Sequence, residues 1–176
     1  MACRWLLDTQ MAPTPELPQC PGISVLIATR NRDAALQKCV QSVLACHYPT
    51  FEVIVIVQGG APSPLTPDAR LRVVDSHSIG KSRALNLALS LARYPFIAFT
   101  DDDCTVPTDW LARGVRLMDE HPGVGLIFSA LTAMLHDPAH VFVPTFLPTC
   151  TSLEQGASAI GVRAGAGANM FARRSL

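Results

Sequence analysis

Three consecutive carboxylates, Asp101-Asp102-Asp103, are the residues that point most directly to chemistry in this chain. They follow an apolar run over residues 96–100 that is long enough for a buried strand. Adjacent like charges repel, and near a core they are costly unless something neutralises them. Hard divalent cations such as Mg²⁺ and Mn²⁺ favour carboxylate oxygens and often bring a phosphate with them. The run therefore indicates either a metal site or a solvated acidic turn after a strand.

A second group of charged residues, Lys81 and Arg83, lies in the first turn of a predicted helix. The helix dipole disfavours cations at that end by a few tenths of a kcal/mol each. A phosphate would reverse this cost, because free backbone N–H groups and both side chains could converge on it. The alternative is that both side chains face solvent, as most lysines and arginines do.

The elements that must position these groups alternate between strand and helix. Asp33 is predicted to cap the first helix, and Tyr48-Pro49 to follow its end. The predicted strands cover residues 23–29, 51–57, 71–74, 96–99 and 125–132, and the later helices cover residues 78–92 and begin again at residue 108. This order predicts an α/β fold with an open, mostly parallel sheet and helices on both faces.

In such sheets, ligands bind beyond the carboxyl ends of the strands, near the topological switch point. The residues after the first four predicted strands are 30–32 (Arg-Asn-Arg), 58–60 (Gln-Gly-Gly), 75–77 (Asp-Ser-His) and the three acids. Carboxylates and an anion-binding helix start on one edge together predict a site for a diphosphate bridged by a divalent ion. The expected ligand is a nucleoside diphosphate, which the metal would stabilise as a leaving group.

Composition limits the other possibilities. The 176 residues suit one domain, and 14 basic residues balance 14 acidic ones, so no general nucleic-acid surface is expected. The 6 cysteines lack metal-ligand spacing and indicate reduced thiols.

No apolar run reaches the roughly 18–20 residues of a membrane helix, which predicts a cytoplasmic location and leaves peripheral membrane contact open. Residues 1–21 are predicted to be a flexible proline-rich leader, and residues 22–176 the folded domain.

Three segments in register resemble family 2 glycosyltransferases of the GT-A fold, a Rossmann-like nucleotide-binding architecture. They are residues 24–32 (Ser-Val-Leu-Ile-Ala-Thr-Arg-Asn-Arg), 80–86 (Gly-Lys-Ser-Arg-Ala-Leu-Asn) and 99–103 (Phe-Thr-Asp-Asp-Asp). Residues 165–174 are similar to the glycine-rich strand that lines the sugar and acceptor region in that family.

The resemblance implies a role for each matching residue. Asp101 and Asp103 would be the DxD pair that holds Mn²⁺ or Mg²⁺ against the diphosphate of the donor, and Asp102 would help to position the donor sugar. Thr29 and Arg30 would lie at the nucleotide pocket. Arg83 and Asn86 would flank the nucleotide and its phosphates. The implied reaction is inverting transfer of a sugar from a UDP- or GDP-sugar to a hydroxyl acceptor, whether on a glycan, a lipid carrier or a protein.

Two departures from the family pattern bear on these expectations. Gln58 stands where the family usually has an aspartate that contacts the base or ribose; its amide can still bind a base edge. The family's general base is a carboxylate downstream of the glycine-rich strand, and the sequence stops at Leu176 before any such segment. Glu154 does not match that motif. The domain is thus expected to lack its C-terminal part, and no residue is assigned as the base.

Two alternatives stay open. The chain could be a catalytically inactive remnant that only binds a nucleotide sugar. The order Asp101, Asp103, Thr105 also fits the DxDxT pattern of haloacid-dehalogenase-like phosphatases, with Asp101 as nucleophile and Asp103 as acid/base. That motif normally lies on the first strand, however, whereas here it follows the fourth.

Overall fold

A computed structural model describes residues 20–59, 65–133 and 167–176 of the chain. The predicted leader, except for its last 2 residues, and Glu154 lie outside these ranges. Six strands and three helices follow one another along the described residues. In chain order they are β1 (Ile23–Thr29), α1 (Asp33–Leu44), β2 (Phe51–Gln58), β3 (Leu71–Ser76), α2 (Lys81–Leu91), β4 (Phe96–Thr100), α3 (Trp110–Glu120), β5 (Leu126–Phe128) and β6 (Asn169–Arg173).

The strands form one mixed sheet in the order β3-β2-β1-β4-β6-β5. β1, β2, β3 and β4 are parallel, whereas β6 runs antiparallel to both of its neighbours. After β1 the chain moves outward through β2 and β3, and it then returns to place β4 on the other side of β1. The strand order therefore reverses between β1 and β4, which makes their carboxyl ends the switch point.

Helices cover both faces of the sheet, as the sequence predicts. Successive side chains of a strand point to opposite faces, so Val25 and Ile27 pack with α1 and α3 while Leu26 packs with α2. Both faces of the central strands are covered by helices, and β2 is buried along its whole length. This double burial explains why the strands are continuous β-branched runs without polar alternation.

Four predicted features of the helices and strands were wrong. The third helix begins at Trp110 and not at residue 108. The second helix begins at Lys81 and not at residue 78, because Gly80 has a φ of 129° that a helix cannot contain. Asp33 is the first residue of α1 and does not cap it; Arg32 holds the cap position, and its side chain makes no hydrogen bond to the N-terminus of the helix. The strand expected over residues 125–132 is confined to β5, Leu126–Phe128. β6 is too distant in sequence from its partners for local periodicity to predict its pairing.

A buried polar network joins β1, β2 and the end of α2 at the amino edge of the sheet. Glu52 is 2% exposed and accepts hydrogen bonds from Ser24 Oγ at 2.7 Å and from the backbone N–H of Arg93 at 2.8 Å. The Arg93 guanidinium donates to its other oxygen at 2.9 Å. The buried carboxylate is therefore satisfied on both oxygens, as a buried charge must be.

Glutamine at position 52 is expected to lower the free energy of unfolding by about 1 kcal/mol. Its single carbonyl oxygen can keep the bonds from Ser24 and the Arg93 backbone, whereas the bond from the guanidinium is lost and that group is 68% exposed. Urea unfolding of Glu52→Gln measures the change, with Glu120→Gln on the surface of α3 as the matched control. An unfolding free energy equal to the wild type's would contradict this account.

Candidate functional site

The carboxyl ends of β1 and β4 lie side by side at the switch point. Leu26 is paired with Phe99 in the parallel register, which brings the following residues of both strands together. Thr29 Oγ1 donates a 2.7 Å hydrogen bond to Asp102 Oδ2 across 73 residues of sequence. Asp102 is only 5% exposed, so this acid is an internal residue of the turn.

Arg32 contacts two of the three acids of the turn. Its Nη1 atom donates to Asp102 Oδ1 at 3.2 Å and to Asp103 Oδ2 at 2.8 Å. Asn31, with a φ of 55°, gives the loop after β1 a left-handed residue, a conformation that asparagine tolerates. The charges of Asp102 and Asp103 raise the pKa of Arg32, so the guanidinium stays protonated at every physiological pH.

Lys81 is the second cation that contacts the acidic turn, and its Nζ atom lies 2.5 Å from Asp101 Oδ1. The loop before it is anchored by Gln58, whose Oε1 atom accepts the backbone N–H of Gly80 at 2.6 Å. Gln58 is 5% exposed at the end of β2. Its carbonyl oxygen thus fixes the start of α2, and its Nε2 atom makes no hydrogen bond to the described residues.

The remaining predicted site residues make no hydrogen bond or ion pair with the acids among the described residues. Arg30 is exposed at the end of β1, and Arg83 and Asn86 are exposed one helical turn apart on α2. Among the residues that the structure describes, neither Arg30 nor Arg83 forms an ion pair with the acids. A cleft of about 260 Å³ borders Asp103 and is lined also by Ala34, Ala35, Lys38, Cys104 and Thr105.

Sequence reasoning did not select Arg32 as a site residue, although it contacts two of the three acids. Its position in the polar segment after β1 could have identified it, because β1 is paired with β4 and the acids follow β4. Lys81, which was predicted to bind a phosphate, pairs with Asp101 in this structure.

The donor set at the turn suits a hard divalent cation that is shared with a ligand. Asp101 and Asp103 are the partly exposed acids, with side chains 28% and 54% exposed. Within the described ranges no group of three or more acidic, histidine or cysteine side chains is arranged to hold a metal by itself. Mg²⁺ and related ions commonly use one or two carboxylates and complete their shell with water and substrate phosphates. Two partly exposed acids fit that pattern.

Cys39 on α1 and the backbone of Cys104 both contact the acidic turn. Cys39 Sγ donates to the backbone carbonyl of Asp101 at 3.3 Å, and the backbone N–H of Cys104 donates to the same carbonyl at 3.1 Å. Burial is the largest cause that raises the pKa of Cys39 to about 12 and that of Cys104 to about 11, with nearby negative groups adding to it.

Alkylation of Cys39 and Cys104 by iodoacetamide at pH 8 is expected to be at least about 100-fold slower in the folded protein than in urea, because the thiolate is the reactive form. The pKa values of both thiols in the folded protein lie above the unfolded value of about 8.5. Their contribution to the free energy of unfolding is therefore fully present below pH 8.5 and is lost as the pH rises toward 11–12. Mass spectrometry of the labelled peptides gives both rates. Equal rates in the two states would contradict the burial of Cys39 and the partial burial of Cys104.

A sequence model of a protein family identifies the class of this protein. The model of glycosyl transferase family 2 matches residues 24–175, and the chain belongs to that family. This agrees with the resemblance carried by the three sequence segments. Among the described residues, no helix is long and apolar enough to cross a bilayer.

Solved structures and relatives agree with this assignment. The mannosyltransferase PcManGT from Pyrobaculum calidifontis, in complex with GDP-Man and Mn²⁺, is 26% identical, covers 63% of this chain and 36% of its own, and has a TM-score of 0.54. TarS 1-349 of S. aureus is 19% identical with a TM-score of 0.68 over 88% of this chain and 47% of its own, a likeness of fold.

Poly-beta-1,6-N-acetyl-D-glucosamine synthase of Staphylococcus epidermidis is 26% identical over 121 residues, which are 64% of this chain and 29% of the synthase. The chain thus spans between about a third and a half of these proteins.

Proposed function

We propose that this chain is the donor-binding part of a glycosyltransferase that takes a UDP- or GDP-sugar together with Mn²⁺ or Mg²⁺. The observation that carries the proposal is the convergence of Asp101, Asp103, Lys81 and Arg32 at the switch point of a family 2 domain. PcManGT was solved with GDP-Man and Mn²⁺, and TarS with UDP-GlcNAc, which supports a nucleotide sugar as the ligand class. Residues 22–176 are the proposed glycosyltransferase-type domain.

Asp101 and Asp103 would hold the metal, because they are the exposed oxygen donors of the turn. When bound, the ion supplies positive charge that stabilises the departing nucleoside diphosphate. Lys81, Arg83 and the N-terminus of α2 provide further positive potential for the phosphates. Asn86 flanks them on the same helix.

Thr29 and Gln58 are the last residues of β1 and β2, and Arg30 follows β1; these three residues would form the nucleotide pocket. Gln58 contributes its Nε2 donor, since its oxygen is already bonded to Gly80. Asp102 is buried beneath the turn and would act as a positioning residue: its bonds to Thr29 and Arg32 hold the turn against β1. The sugar would pass with inversion to a hydroxyl acceptor. No described residue is assigned as the base that accepts the hydroxyl proton.

Calorimetric titration with UDP-GlcNAc and GDP-mannose, with and without Mn²⁺, tests the donor site. We expect binding that depends on Mn²⁺ and that falls about 100-fold or more in Asp103→Ala, because one of two protein ligands is lost. Arg116→Met on the outer surface of α3 is the matched surface control. Binding of neither nucleotide sugar in the presence of Mn²⁺ would overturn the proposed function.

A sugar-transfer and donor-hydrolysis assay separates the enzyme from an inactive remnant. Tight metal-dependent binding with neither reaction would show a binding domain. Burst release of phosphate from a phosphomonoester would instead favour phosphatase chemistry at Asp101.

A further inference from the structure

We propose that Lys81 is a resident counter-ion of the acidic turn that a divalent cation must displace, so that metal and diphosphate bind this chain jointly. The inference rests on the proposed function and adds to it a coupling between the two ligands. It assigns Arg32 as the second resident counter-ion.

All three acids are paired with side chains of the chain itself. Asp101 pairs with Lys81 at 2.5 Å, and Asp103 pairs with Arg32 at 2.8 Å. Asp102 shares Arg32 at 3.2 Å and accepts the Thr29 hydroxyl. Two side-chain cations therefore offset most of the charge of the turn.

The pairs differ in how readily they can be exchanged. Asp102 is almost enclosed and bonded on both oxygens, so Arg32 is anchored there even when it leaves Asp103. Lys81 has only Asp101 as a partner among the described residues, and its side chain is 55% exposed. An ammonium on a flexible four-carbon stem can move away from the turn, whereas a guanidinium held by a buried carboxylate is more restrained.

A divalent cation on Asp101 would lie beside the Lys81 ammonium, which already contacts Oδ1 of the same carboxylate. Two cations at such a separation repel, so metal alone must push Lys81 into water and lose the existing pair. A diphosphate arriving with the metal offers new acceptors to the displaced ammonium, close to the N-terminus of α2 where Lys81 begins the helix. Each ligand then strengthens the other by the same factor, as linkage requires.

The test measures Mn²⁺ binding by electron paramagnetic resonance, with and without saturating UDP or GDP. For the wild type we expect weak binding of Mn²⁺ alone and at least tenfold tighter binding with nucleotide. In Lys81→Met, Mn²⁺ alone should bind about threefold more tightly than in the wild type, because the competing cation is gone. The strengthening by nucleotide should be smaller than in the wild type, because the part that passes through Lys81 is lost while coordination of the metal by the phosphates remains.

Lys81→Gln should behave in the same way, and Arg116→Met should match the wild type. Circular dichroism verifies that each variant is folded. If the wild type binds Mn²⁺ with nucleotide while folded Lys81→Met and Lys81→Gln bind Mn²⁺ alone no more tightly than the wild type, the counter-ion role is overturned and the donor site stands. If the wild type binds neither Mn²⁺ nor nucleotide under any condition, the proposed function fails and the coupling fails with it.

Discussion

Asparagine at position 101 is expected to weaken binding of the Mn²⁺–nucleotide complex about 100-fold. The substitution keeps the shape of the side chain and removes the charge that contacts Lys81, whose Nζ atom is 2.5 Å away, and that would hold the metal. Because both side chains of that pair are partly exposed, the free energy of unfolding should change by less than about 1 kcal/mol. The expected loss therefore concerns binding and not folding.

Calorimetry with UDP and GDP in the presence of Mn²⁺ measures this effect, and urea unfolding reports stability. Asp109→Asn is the matched control, because Asp109 is also a partly exposed acid that pairs with a cation, Arg113, within one helical turn. Affinity of Asp101→Asn within about threefold of the wild type would remove Asp101 from the donor site.

Alanine at position 114 is expected to cost about 2–3 kcal/mol of unfolding free energy, more than the change expected for Glu52→Gln. A Cβ on Gly114 would lie 2.1 Å from Cε1 of Phe171, whose side chain is 2% exposed. Phe171 is packed against Trp110 with ring centroids 5.1 Å apart, so the ring cannot simply move aside. The gain of about 1 kcal/mol from replacing a helical glycine does not offset this clash.

Urea unfolding of Gly114→Ala, Phe171→Leu and the double variant forms a thermodynamic cycle. The smaller leucine should make room for the new methyl group, so the double variant should be more stable than additivity predicts by about 1 kcal/mol. Gly167→Ala is the control, since a Cβ at that position would have no atom of the described residues within 4 Å. Additive losses, or a Gly114→Ala variant as stable as the wild type, would contradict the close packing of α3 on β6.

The binding site can be followed from sequence to structure through particular residues. Thr29, Gln58 and the three acids were predicted at strand ends, and the structure places them at the carboxyl edge of the sheet. Their position was predictable because a buried strand has a recognisable length and the polar residues begin where burial ends. The start of α2 was not, since only the backbone reveals that Gly80 has a φ of 129°.

The sequence by itself determined the β-branched strands, the helical spacing and hence the class of sheet, because local periodicity records which faces are buried. It also determined that three carboxylates and several cations would share one edge. Only the tertiary structure decided which charges meet. Arg32 reaches Asp102 and Asp103 across 70 and 71 residues, and Lys81 pairs with Asp101 across 20 residues. Such pairs depend on the order of strands in the sheet and on the conformation of the loops between them, neither of which leaves a local pattern in the chain.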